Sequence, residues 1–306
     1  MKILLLGANG QLGQTFITDG GLARRGTLVV ASRDGSAPMG ARGVAVDLTD
    51  AAALTATLDA EAPDIIVNAA AYTAVDKAEE DEATATLVNG EAPAALGRWA
   101  ASHGALVVHF STDYVFPGDA TAPYAVDAAT GPQGAYGRSK LAGELALEAS
   151  GARHLTLRTA WVYSDVGHNF LKTMLRLGAD RDELRVVADQ RGTPTTTTLI
   201  VAGTLAALDR YIASPATFTA GTFHLTAGGE TSWHGFADAI FDEAVAAGLL
   251  SRRPTVTAIG TEAFPTPARR PAYSVLDNRT FTETFGHPLP DWREGLRDVV
   301  RMLAGR

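Results

Sequence analysis

A tyrosine and a lysine lie four residues apart in a stretch whose pattern is typical of a helix. The segment YGRSK places them at Tyr136 and Lys140, and residues at this spacing share one face of a helix. An ammonium group beside a phenol lowers the phenol pKa from about 10, which lets the tyrosine exchange a proton near neutral pH. The pair predicts proton transfer to a substrate oxygen. A solvent-facing pair is the alternative when the spacing is considered alone.

A glycine-rich run, GANGQLG, occupies positions 7–13 directly after an apolar stretch. Glycine suits positions where the backbone takes a positive φ or approaches a ligand closely, and the N-terminus of a following helix presents free N–H groups to a pyrophosphate. We therefore predict that Gly7, Gly10 and Gly13 form a dinucleotide site. Because three glycines at this spacing are weak support by themselves, a tight strand-to-helix turn is the alternative.

Thr112 is the third residue that we expect to act in catalysis. It lies in Ser111-Thr112-Asp113, directly after the apolar run ALVVHF. In an open α/β sheet, ligands bind at the carboxyl ends of the strands. Thr112 can hydrogen-bond a carbonyl oxygen that Tyr136 protonates. The order of the glycine turn, this segment and the Tyr–Lys pair along the chain favours a joint role for the three residues.

Two polar segments predict the choice of cofactor. Ser32, Arg33 and Asp34 follow the second predicted strand, at the place where an acid holds the ribose of NAD and an arginine accepts the additional phosphate of NADP. Ser32 and Arg33 favour NADPH, whereas Asp34 leaves NADH open, and a solvated loop is the alternative. Asp47 and Leu48 follow a third apolar run. The Asp47 carboxylate can accept from the adenine amino group or can cap the next helix.

Elements that could position these groups alternate along the chain. β-Rich runs followed by Ala-rich amphipathic stretches predict an α/β fold, a Rossmann-type doubly wound parallel sheet with a smaller C-terminal α/β substrate domain. We predict strands at 2–6, 27–31, 64–68, 105–111, 154–162 and 222–226, helices at 170–177, 199–211, from 233 onward and at 292–303, and an irregular stretch at 185–195. The cofactor domain is predicted at 1–164 with about 190–226, and the substrate domain at about 165–189 with 227–306.

Composition excludes several classes of function. The 306 residues include 26 Lys and Arg against 34 Asp and Glu, which gives a net charge of -8. We expect no nucleic acid and no membrane partner, because an acidic chain lacks the positive surface that both require. The absence of cysteine excludes a disulfide framework and a thiolate nucleophile. No signal-peptide core or membrane-spanning run is evident, so we predict a cytoplasmic location.

The whole chain resembles a known group of enzymes. The motifs that carry the resemblance are GANGQLG at 7–13, NAAAYTAVDKAE at 68–79, STDYVFPG at 111–118, YGRSKLAGE at 136–144, RTAWVY at 158–163, DQRGTPT at 189–195 and RP at 270–271. The first and fourth are typical of extended short-chain dehydrogenase/reductases in general. The combination of the second, third and sixth resembles the dTDP-4-dehydrorhamnose reductase family within that group.

This resemblance implies reduction of the C4 ketone of dTDP-4-dehydro-6-deoxy-L-mannose to dTDP-L-rhamnose, with NADPH as cofactor and NADH as a possible substitute. It implies that the nicotinamide delivers hydride, Tyr136 supplies the proton, Lys140 holds the nicotinamide ribose and Thr112 fixes the carbonyl. By similarity, further cofactor contacts are Gly10, Gln11, Leu12, Asp47, Leu48, Ala71, Tyr72 and Thr73.

The resemblance also implies contacts to a nucleotide-sugar substrate. Thr112, Asp113 and Trp161 match the sugar-contacting positions of the family, and Arg270 is a hypothetical clamp for the diphosphate. Each has a structural alternative. Trp161 could pack in the core, Asp113 could cap the following turn, and Arg270 could form a surface ion pair.

Some members of this family dimerise around a magnesium ion held by glutamates. The matching positions here carry Thr15 and Thr198, and a hard dication prefers carboxylate ligands. We therefore predict no metal, doubt the magnesium-bridged dimer and favour a monomer.

Two other functions remain open. One is another nucleotide-sugar reductase or epimerase of the same fold, although a dehydratase is disfavoured because Tyr114 follows Asp113 where such enzymes carry a glutamate. The other is a non-catalytic regulatory relative. A pure binding protein has no need of Thr112, Tyr136 and Lys140 together, which argues against this second alternative.

Overall fold

A seven-stranded parallel sheet forms the centre of the structure, a computed structural model that describes residues 1–305. Seven of the strands form this sheet, and the others form two-stranded sheets. In chain order, the strands of the described residues are β1 Lys2–Leu6, β2 Thr27–Ser32, β3 Arg42–Ala45, β4 Ile65–Asn68, β5 Leu106–Thr112, β6 Arg153–Thr159, β7 Val162–Tyr163, β8 Glu183–Val187, β9 Arg191–Gly192, β10 Thr195–Thr196, β11 Gly221–His224, β12 Thr231–Ser232 and β13 Thr255–Ile259. The order in the large sheet is β11-β6-β5-β4-β1-β2-β3, with every neighbouring pair parallel. The direction of winding reverses between β1 and β4, where such sheets bind their ligands.

Helices cover both faces of this sheet. In chain order, the α-helices of the described residues are α1 Gln11–Asp19, α2 Gly21–Arg25, α3 Ala51–Glu61, α4 Val75–Ala78, α5 Glu82–Thr86, α6 Ala92–His103, α7 Ala135–Ala149, α8 Phe170–Asp180, α9 Thr197–Ala213, α10 Trp233–Ala246, α11 Arg279–Phe285 and α12 Trp292–Ala304. Alternate residues of β1 enter opposite cores. Leu5 packs in one core with Phe16 of α1, and Leu4 packs in the other with Leu54 of α3. The doubly wound parallel sheet predicted from the sequence is confirmed.

A separate hydrophobic core lies apart from the two that pack on the large sheet. Leu171 of α8, Leu184 of β8, Phe236 of α10 and Leu296 of α12 are buried together there. Strands β8 and β13 pair in parallel and form a separate two-stranded sheet. No helix within residues 1–305 is long and apolar enough to cross a membrane.

Two predicted elements differ from the structure. The strand expected at 154–162 ends at Thr159, because Trp161 takes a positive φ of 46° that breaks the extended backbone. The stretch expected to be irregular at 185–195 begins within β8, whose pairing with β13 comes from a segment about 70 residues further along the chain and cannot be found from local pattern.

Candidate active site

A cleft of about 2190 Å³ lies at the carboxyl ends of the central strands and extends to the separate core around α8 and β8. Pockets for one small ligand commonly measure about 300–1,000 Å³, so this cleft has room for a dinucleotide and a second ligand. Gly13 is the one predicted site residue outside its lining. The predicted residues that line it are Gly7, Gly10, Gln11, Leu12, Ser32, Arg33, Asp47, Leu48, Ala71, Tyr72, Thr73, Thr112, Asp113, Tyr136, Lys140, Trp161 and Arg270.

The three glycines of the turn between β1 and α1 have different structural roles. Gly7 has a φ of +81°, and a Cβ there would lie 2.6 Å from the Ala70 nitrogen. A Cβ on Gly13 would lie 2.2 Å from the Gly7 oxygen. Gly10 has an ordinary φ of -74° and precedes α1 with no side-chain cap, which leaves the first N–H groups of the helix open. The fold itself therefore requires Gly7 and Gly13, whereas Gly10 keeps the helix N-terminus accessible to an anion.

The Gln11 side chain holds the glycine turn to the beginning of α8. Its Oε1 accepts hydrogen bonds from Ser164 Oγ at 2.9 Å and from Asn169 Nδ2 at 2.8 Å. The side chain is thus committed to contacts within the protein, and the backbone of Gln11 is the part that remains for a phosphate.

Asp34, which left the choice of cofactor open, is held within its own loop. Its Oδ1 accepts from Ser36 Oγ at 2.6 Å, from the Ser36 nitrogen at 3.1 Å and from Ser32 Oγ at 2.9 Å. The hydrogen bonds from Ser36, followed by that from Ser32, lower the pKa of Asp34 to about 2. Arg33 is exposed beside this ionised, internally bonded carboxylate.

Asp47 does not cap the next helix, so that alternative is wrong. Its Oδ1 accepts from the Thr49 nitrogen at 2.9 Å and from Thr49 Oγ1 at 2.8 Å, bonds that lower the Asp47 pKa. The cap of α3 is Asp50, which accepts from the nitrogens of Ala52 and Ala53. Asp47 and its neighbour Leu48 instead line the cleft.

Tyr136 lies in the first turn of α7, and its ring meets the Tyr114 ring edge-on with centroids 5.7 Å apart. Burial raises the pKa of the Tyr136 phenol, and a hydrogen bond with the Thr112 side chain opposes this shift. The prediction that Lys140 lowers the pKa of Tyr136 is therefore wrong. The phenol is protonated at neutral pH.

Lys140 is buried one helical turn further along α7. Its Nζ donates to the Phe110 carbonyl oxygen at 2.5 Å and lies 3.5 Å from His109 Nε2. Burial lowers the pKa of Lys140 to about 8. The ammonium is thus anchored against β5, and Lys140 lines the cleft.

Asp113 is a buried carboxyl group at the end of β5. Thr112 Oγ1 donates to its Oδ1 at 3.0 Å, whereas Oδ2 has no hydrogen-bond partner in the part of the chain that is described. The nearby Ser274 side chain opposes the effect of burial on the Asp113 pKa. The Ser274 hydroxyl itself donates to the Arg191 carbonyl oxygen at 3.4 Å. Burial raises the pKa of Asp113 to about 6. The turn cap that follows β5 is Thr112, which accepts from the Tyr114 nitrogen.

Asn89 is a site-forming residue that the sequence analysis missed. It lies in a π-helical turn, Leu87–Glu91, between α5 and α6. Its Oδ1 accepts from the Tyr72 nitrogen at 2.9 Å, and its Nδ2 donates to the Tyr72 carbonyl oxygen at 3.0 Å and to Ser139 Oγ at 3.0 Å. Asn89 therefore fixes the loop of Ala71, Tyr72 and Thr73 to α7. The available signal in the sequence was the Asn-Gly pair at positions 89 and 90, which interrupts an Ala-rich helical pattern. Irregular π-helical turns of this kind are frequent at functional sites.

Trp161 forms an aromatic wall of the cleft together with Trp233, whose role the helix pattern of α10 did not reveal. The two indole rings stack with centroids 3.5 Å apart and planes 6° apart, and the Phe170 ring lies 4.7 Å from Trp233. A Cβ on Gly192 would lie 2.4 Å from Trp161. Trp161 is thus packed on one side and lines the cleft on the other.

Arg270 approaches the cleft from the loop before α11. Its Nη2 donates to Asp76 Oδ2 at 2.7 Å, and its Nη1 donates to the Tyr114 hydroxyl at 3.3 Å. Arg270 is therefore held in an ion pair that itself lines the cleft.

Neither threonine at the positions compared with metal-binding glutamates faces a group of acids. Thr15 Oγ1 donates to Thr197 Oγ1 at 2.7 Å, and Thr198 is exposed. Within residues 1–305, no three His, Asp or Glu side chains are grouped so as to hold a metal ion.

A doubly wound sheet, a glycine turn at its switch point and a Tyr-x-x-x-Lys helix beside the carboxyl end of β5 define a nucleotide-binding protein of the short-chain dehydrogenase/reductase class. Residues 1–304 match the family described as the RmlD substrate binding domain. A dTDP-4-dehydrorhamnose reductase of Burkholderia thailandensis is 46% identical over 307 aligned residues, covering 99% of both chains. The chain belongs to the dTDP-4-dehydrorhamnose reductase family.

Solved structures of the same family are similar over nearly the whole chain. A dTDP-4-dehydrorhamnose reductase from Clostridium acetobutylicum is 38% identical with a TM-score of 0.85, covering 99% of each chain. Another from Bacillus anthracis, in complex with NADP, is 32% identical with a TM-score of 0.85, covering 97% of this chain and 98% of that one.

Proposed function

We propose that this protein uses NADPH to reduce the C4 ketone of dTDP-4-dehydro-6-deoxy-L-mannose to dTDP-L-rhamnose, the last step of dTDP-L-rhamnose synthesis. The observation that carries the proposal is the convergence of Thr112, Tyr136 and Lys140 on one cleft that the glycine turn also lines. A family of reductases with this chemistry covers the full length of the chain.

The residues present fit a nicotinamide dinucleotide. Gly10 leaves the N-terminus of α1 uncapped, and both Gly7 and Gly10 line the cleft beside it. The cleft also contains buried polar atoms without partners in residues 1–305, including the Tyr72 hydroxyl and Ser111 Oγ. We assign the pyrophosphate to Gly10, Gln11 and Leu12, the adenosine end to Arg33, Asp47 and Leu48 with Ser32 beside it, and the nicotinamide ribose to Lys140.

A bound NADPH would supply hydride to the C4 carbon, and the protein supplies the proton. The Tyr136 phenol donates its proton to the ketone oxygen as negative charge develops there. Because burial raises the Tyr136 pKa, the phenol enters the reaction in the protonated form that reduction requires. The Thr112 side chain adjoins the Tyr136 phenol, and its hydroxyl orients the same oxygen when its proton turns from Asp113 Oδ1 to the ketone.

We assign the sugar end of the substrate to Asp113 and Trp161, and the diphosphate to Arg270. Asp113 Oδ2 is a buried acceptor without a partner in the described chain, which suits a sugar hydroxyl. The Trp161 ring gives the sugar a flat apolar wall. Arg270 can meet phosphate oxygens in a bidentate manner, although it must exchange or share its contact with Asp76.

The division into two domains, the monomeric state and the cytoplasmic location are also proposals. The core around α8, β8, α10 and α12 supports a substrate domain formed by about 165–189 and 227–306. Within the second segment, α11 departs from this division, because Phe281 and Phe285 pack in the core of the large sheet. Thr15 and Thr198 support a monomer, because they offer no carboxylate to a bridging magnesium ion.

The test is a spectrophotometric assay of the purified protein with the dTDP-4-keto-6-deoxy-L-sugar. We expect loss of NADPH absorbance in equal amount to the C4 alcohol formed, which NMR identifies. NADH and the corresponding UDP-sugar are the comparisons for cofactor and base. Conversion of the sugar without net oxidation of NADPH would indicate an epimerase, and absence of turnover alongside NADPH binding would indicate a regulatory relative.

A further inference from the structure

Three polar side chains form a buried row from the end of β4, through the middle of β5, to α7, where Lys140 lines the cleft. Asn68 Nδ2 lies 3.1 Å from His109 Nδ1, and His109 Nε2 lies 3.5 Å from Lys140 Nζ. Each of the three side chains is 1% exposed. The reaction described above uses Lys140 and leaves His109 and Asn68 without a role.

Protonation states in this row are constrained by the donors and acceptors available. Burial, reinforced by the charge of Lys140, holds the pKa of His109 well below its usual range, so its ring is neutral. An ammonium group only donates hydrogen bonds. His109 Nε2 must therefore be the accepting nitrogen when Lys140 is charged, and the ring proton must lie on Nδ1.

A proton on Nδ1 requires an acceptor, and the Asn68 amide is the group beside it. In the orientation described, Asn68 Nδ2 faces Nδ1 and Asn68 Oδ1 has no partner within residues 1–305. A half-turn of the amide presents Oδ1 to the Nδ1–H and leaves the number of unpaired amide atoms unchanged. This is the orientation that a charged Lys140 requires.

The Lys140 ammonium has three N–H donors. The Phe110 carbonyl oxygen takes one at 2.5 Å, and His109 Nε2 is placed to take a second. Two fixed acceptors determine where the third donor points, and Lys140 lines the cleft. A single acceptor would leave the ammonium free to rotate about the Phe110 contact.

We propose that His109 is a positioning residue for the reductase: its neutral ring, held in one tautomer by Asn68, accepts from Lys140 and directs the remaining N–H of the ammonium into the cleft. The proposal rests on the proposed role of Lys140 in holding the nicotinamide ribose. It predicts that His109 acts on cofactor binding and turnover without touching either ligand.

Two substitutions of His109 separate this role from simple core filling. His109→Gln retains an acceptor near the position of Nε2, whereas His109→Asn is shorter and retains polar atoms only near Nδ1. His154 provides a matched control, because it is a histidine buried on the neighbouring strand β6, with its Nδ1 3.1 Å from Thr156 Oγ1. His154→Gln removes a buried imidazole that does not hold Lys140.

The variants are compared by NADPH dissociation constant, from cofactor fluorescence, and by kcat with the sugar nucleotide, at equal folding judged by thermal melting. We expect His109→Asn to raise the dissociation constant and lower kcat, each about tenfold, which is the range of one hydrogen bond to a charged group. His109→Gln should restore both to within about threefold, and His154→Gln should change neither.

Equal binding and turnover in His109→Asn and wild type would overturn the inference, as would a His109→Gln variant as impaired as His109→Asn. A wild-type protein that binds no NADPH overturns the proposed function together with this inference. Wild-type turnover with an unaffected His109→Asn overturns the inference alone.

If the His109 variants do not fold, ¹⁵N NMR of the wild-type protein tests the inference by locating the proton on the His109 ring. A proton on Nδ1 supports the proposal, and a proton on Nε2 at neutral pH contradicts it.

Discussion

The Lys140 ammonium donates to the carbonyl oxygen of Phe110, 2.5 Å away on the adjacent strand. The contact draws Lys140 toward β5, even though Tyr136 lies one turn earlier on the same helix. Burial raises the pKa of Tyr136, and the contact with the Thr112 side chain opposes only part of this rise. The two residues that look like one catalytic pair in the sequence are therefore held by different contacts. We propose separate tasks for them, in which Tyr136 donates its proton and Lys140 offers a buried positive charge to the cofactor.

Removal of the Tyr136 hydroxyl tests the proton-donor role. Tyr136→Phe keeps the ring and its edge contact with Tyr114, so the NADPH dissociation constant should stay within about twofold. The kcat should fall by about 10²–10⁴, the usual contribution of a positioned acid. Tyr114→Phe is the control, because its hydroxyl contacts Arg270 and its loss should act on KM. A normal kcat in Tyr136→Phe would refute the assignment.

Replacement of Lys140 by methionine tests the ribose contact. Methionine fills most of the buried volume without a donor, so the cavity that alanine would leave is avoided. The loss of the ammonium should weaken NADPH binding about tenfold or more and should also lower kcat. Titration of NADPH fluorescence and steady-state kinetics measure the two effects. An unchanged dissociation constant would contradict the ribose contact and leave Lys140 with a purely structural role.

Local sequence patterns account for the sheet and for much of the site. Continuous apolar runs predicted β1, β4 and β5, because strands buried on both faces carry no polar alternation. The glycine turn was readable from its spacing directly after β1. Only Gly13 is required by atoms nearby in the sequence, those of Gly7 and Ala8, whereas a Cβ on Gly7 would collide with the Ala70 backbone after β4.

The remaining features depend on contacts between distant segments. Lys140 finds its acceptor on a strand 30 residues earlier, and Asn89 joins Tyr72 to Ser139, 50 residues further on. Trp161, which has a positive φ, likewise stacks on Trp233, a residue far along the chain, and no local pattern predicts this contact. Spacing could identify which side chains meet the cleft, but it could not identify which of their atoms were already bonded.

Arg33 should set the preference for NADPH over NADH. The Asp34 carboxylate is occupied by Ser32 and Ser36, so the exposed guanidinium of Arg33 is the group available to a 2′-phosphate. Arg33→Ala should raise the KM for NADPH about tenfold, with little change in the KM for NADH, because only NADPH carries the phosphate. Steady-state kinetics with each cofactor provide the comparison. An equal loss with both cofactors would show that Arg33 acts on the loop itself.

Asp113 should make stability depend on pH. Its pKa is raised to about 6 from 3.8, so between these values the folded protein holds a proton that the unfolded chain has lost. The contribution of Asp113 to the free energy of unfolding therefore falls as pH rises through this window, by about 3 kcal/mol in total. Asp113→Asn removes the charge. Its stability relative to wild type should increase from about pH 4 to about pH 7, as measured by urea denaturation.

A control of opposite sign is available at Asp34. Its pKa is lowered to about 2, so its ionised form favours the folded state above the ordinary carboxyl pKa and loses that contribution as pH falls toward 2. Asp34→Asn should therefore become less stable than wild type as pH rises from about 2 to about 4. An Asp113→Asn stability difference that is independent of pH would contradict a raised pKa in the folded protein.

Removal of divalent metal should leave the protein unchanged. Thr15 donates to Thr197, and Thr198 is exposed, so these positions present neutral hydroxyls where a hard dication needs carboxylates. Activity and molar mass should be the same in EDTA and in magnesium, as measured by the NADPH assay and by light scattering. The double variant Thr15→Glu with Thr198→Glu supplies the missing charges and is the informative comparison. If it dimerises with magnesium while the wild-type protein remains a monomer, the threonines account for the difference. A wild-type dimer that EDTA dissociates would refute the prediction.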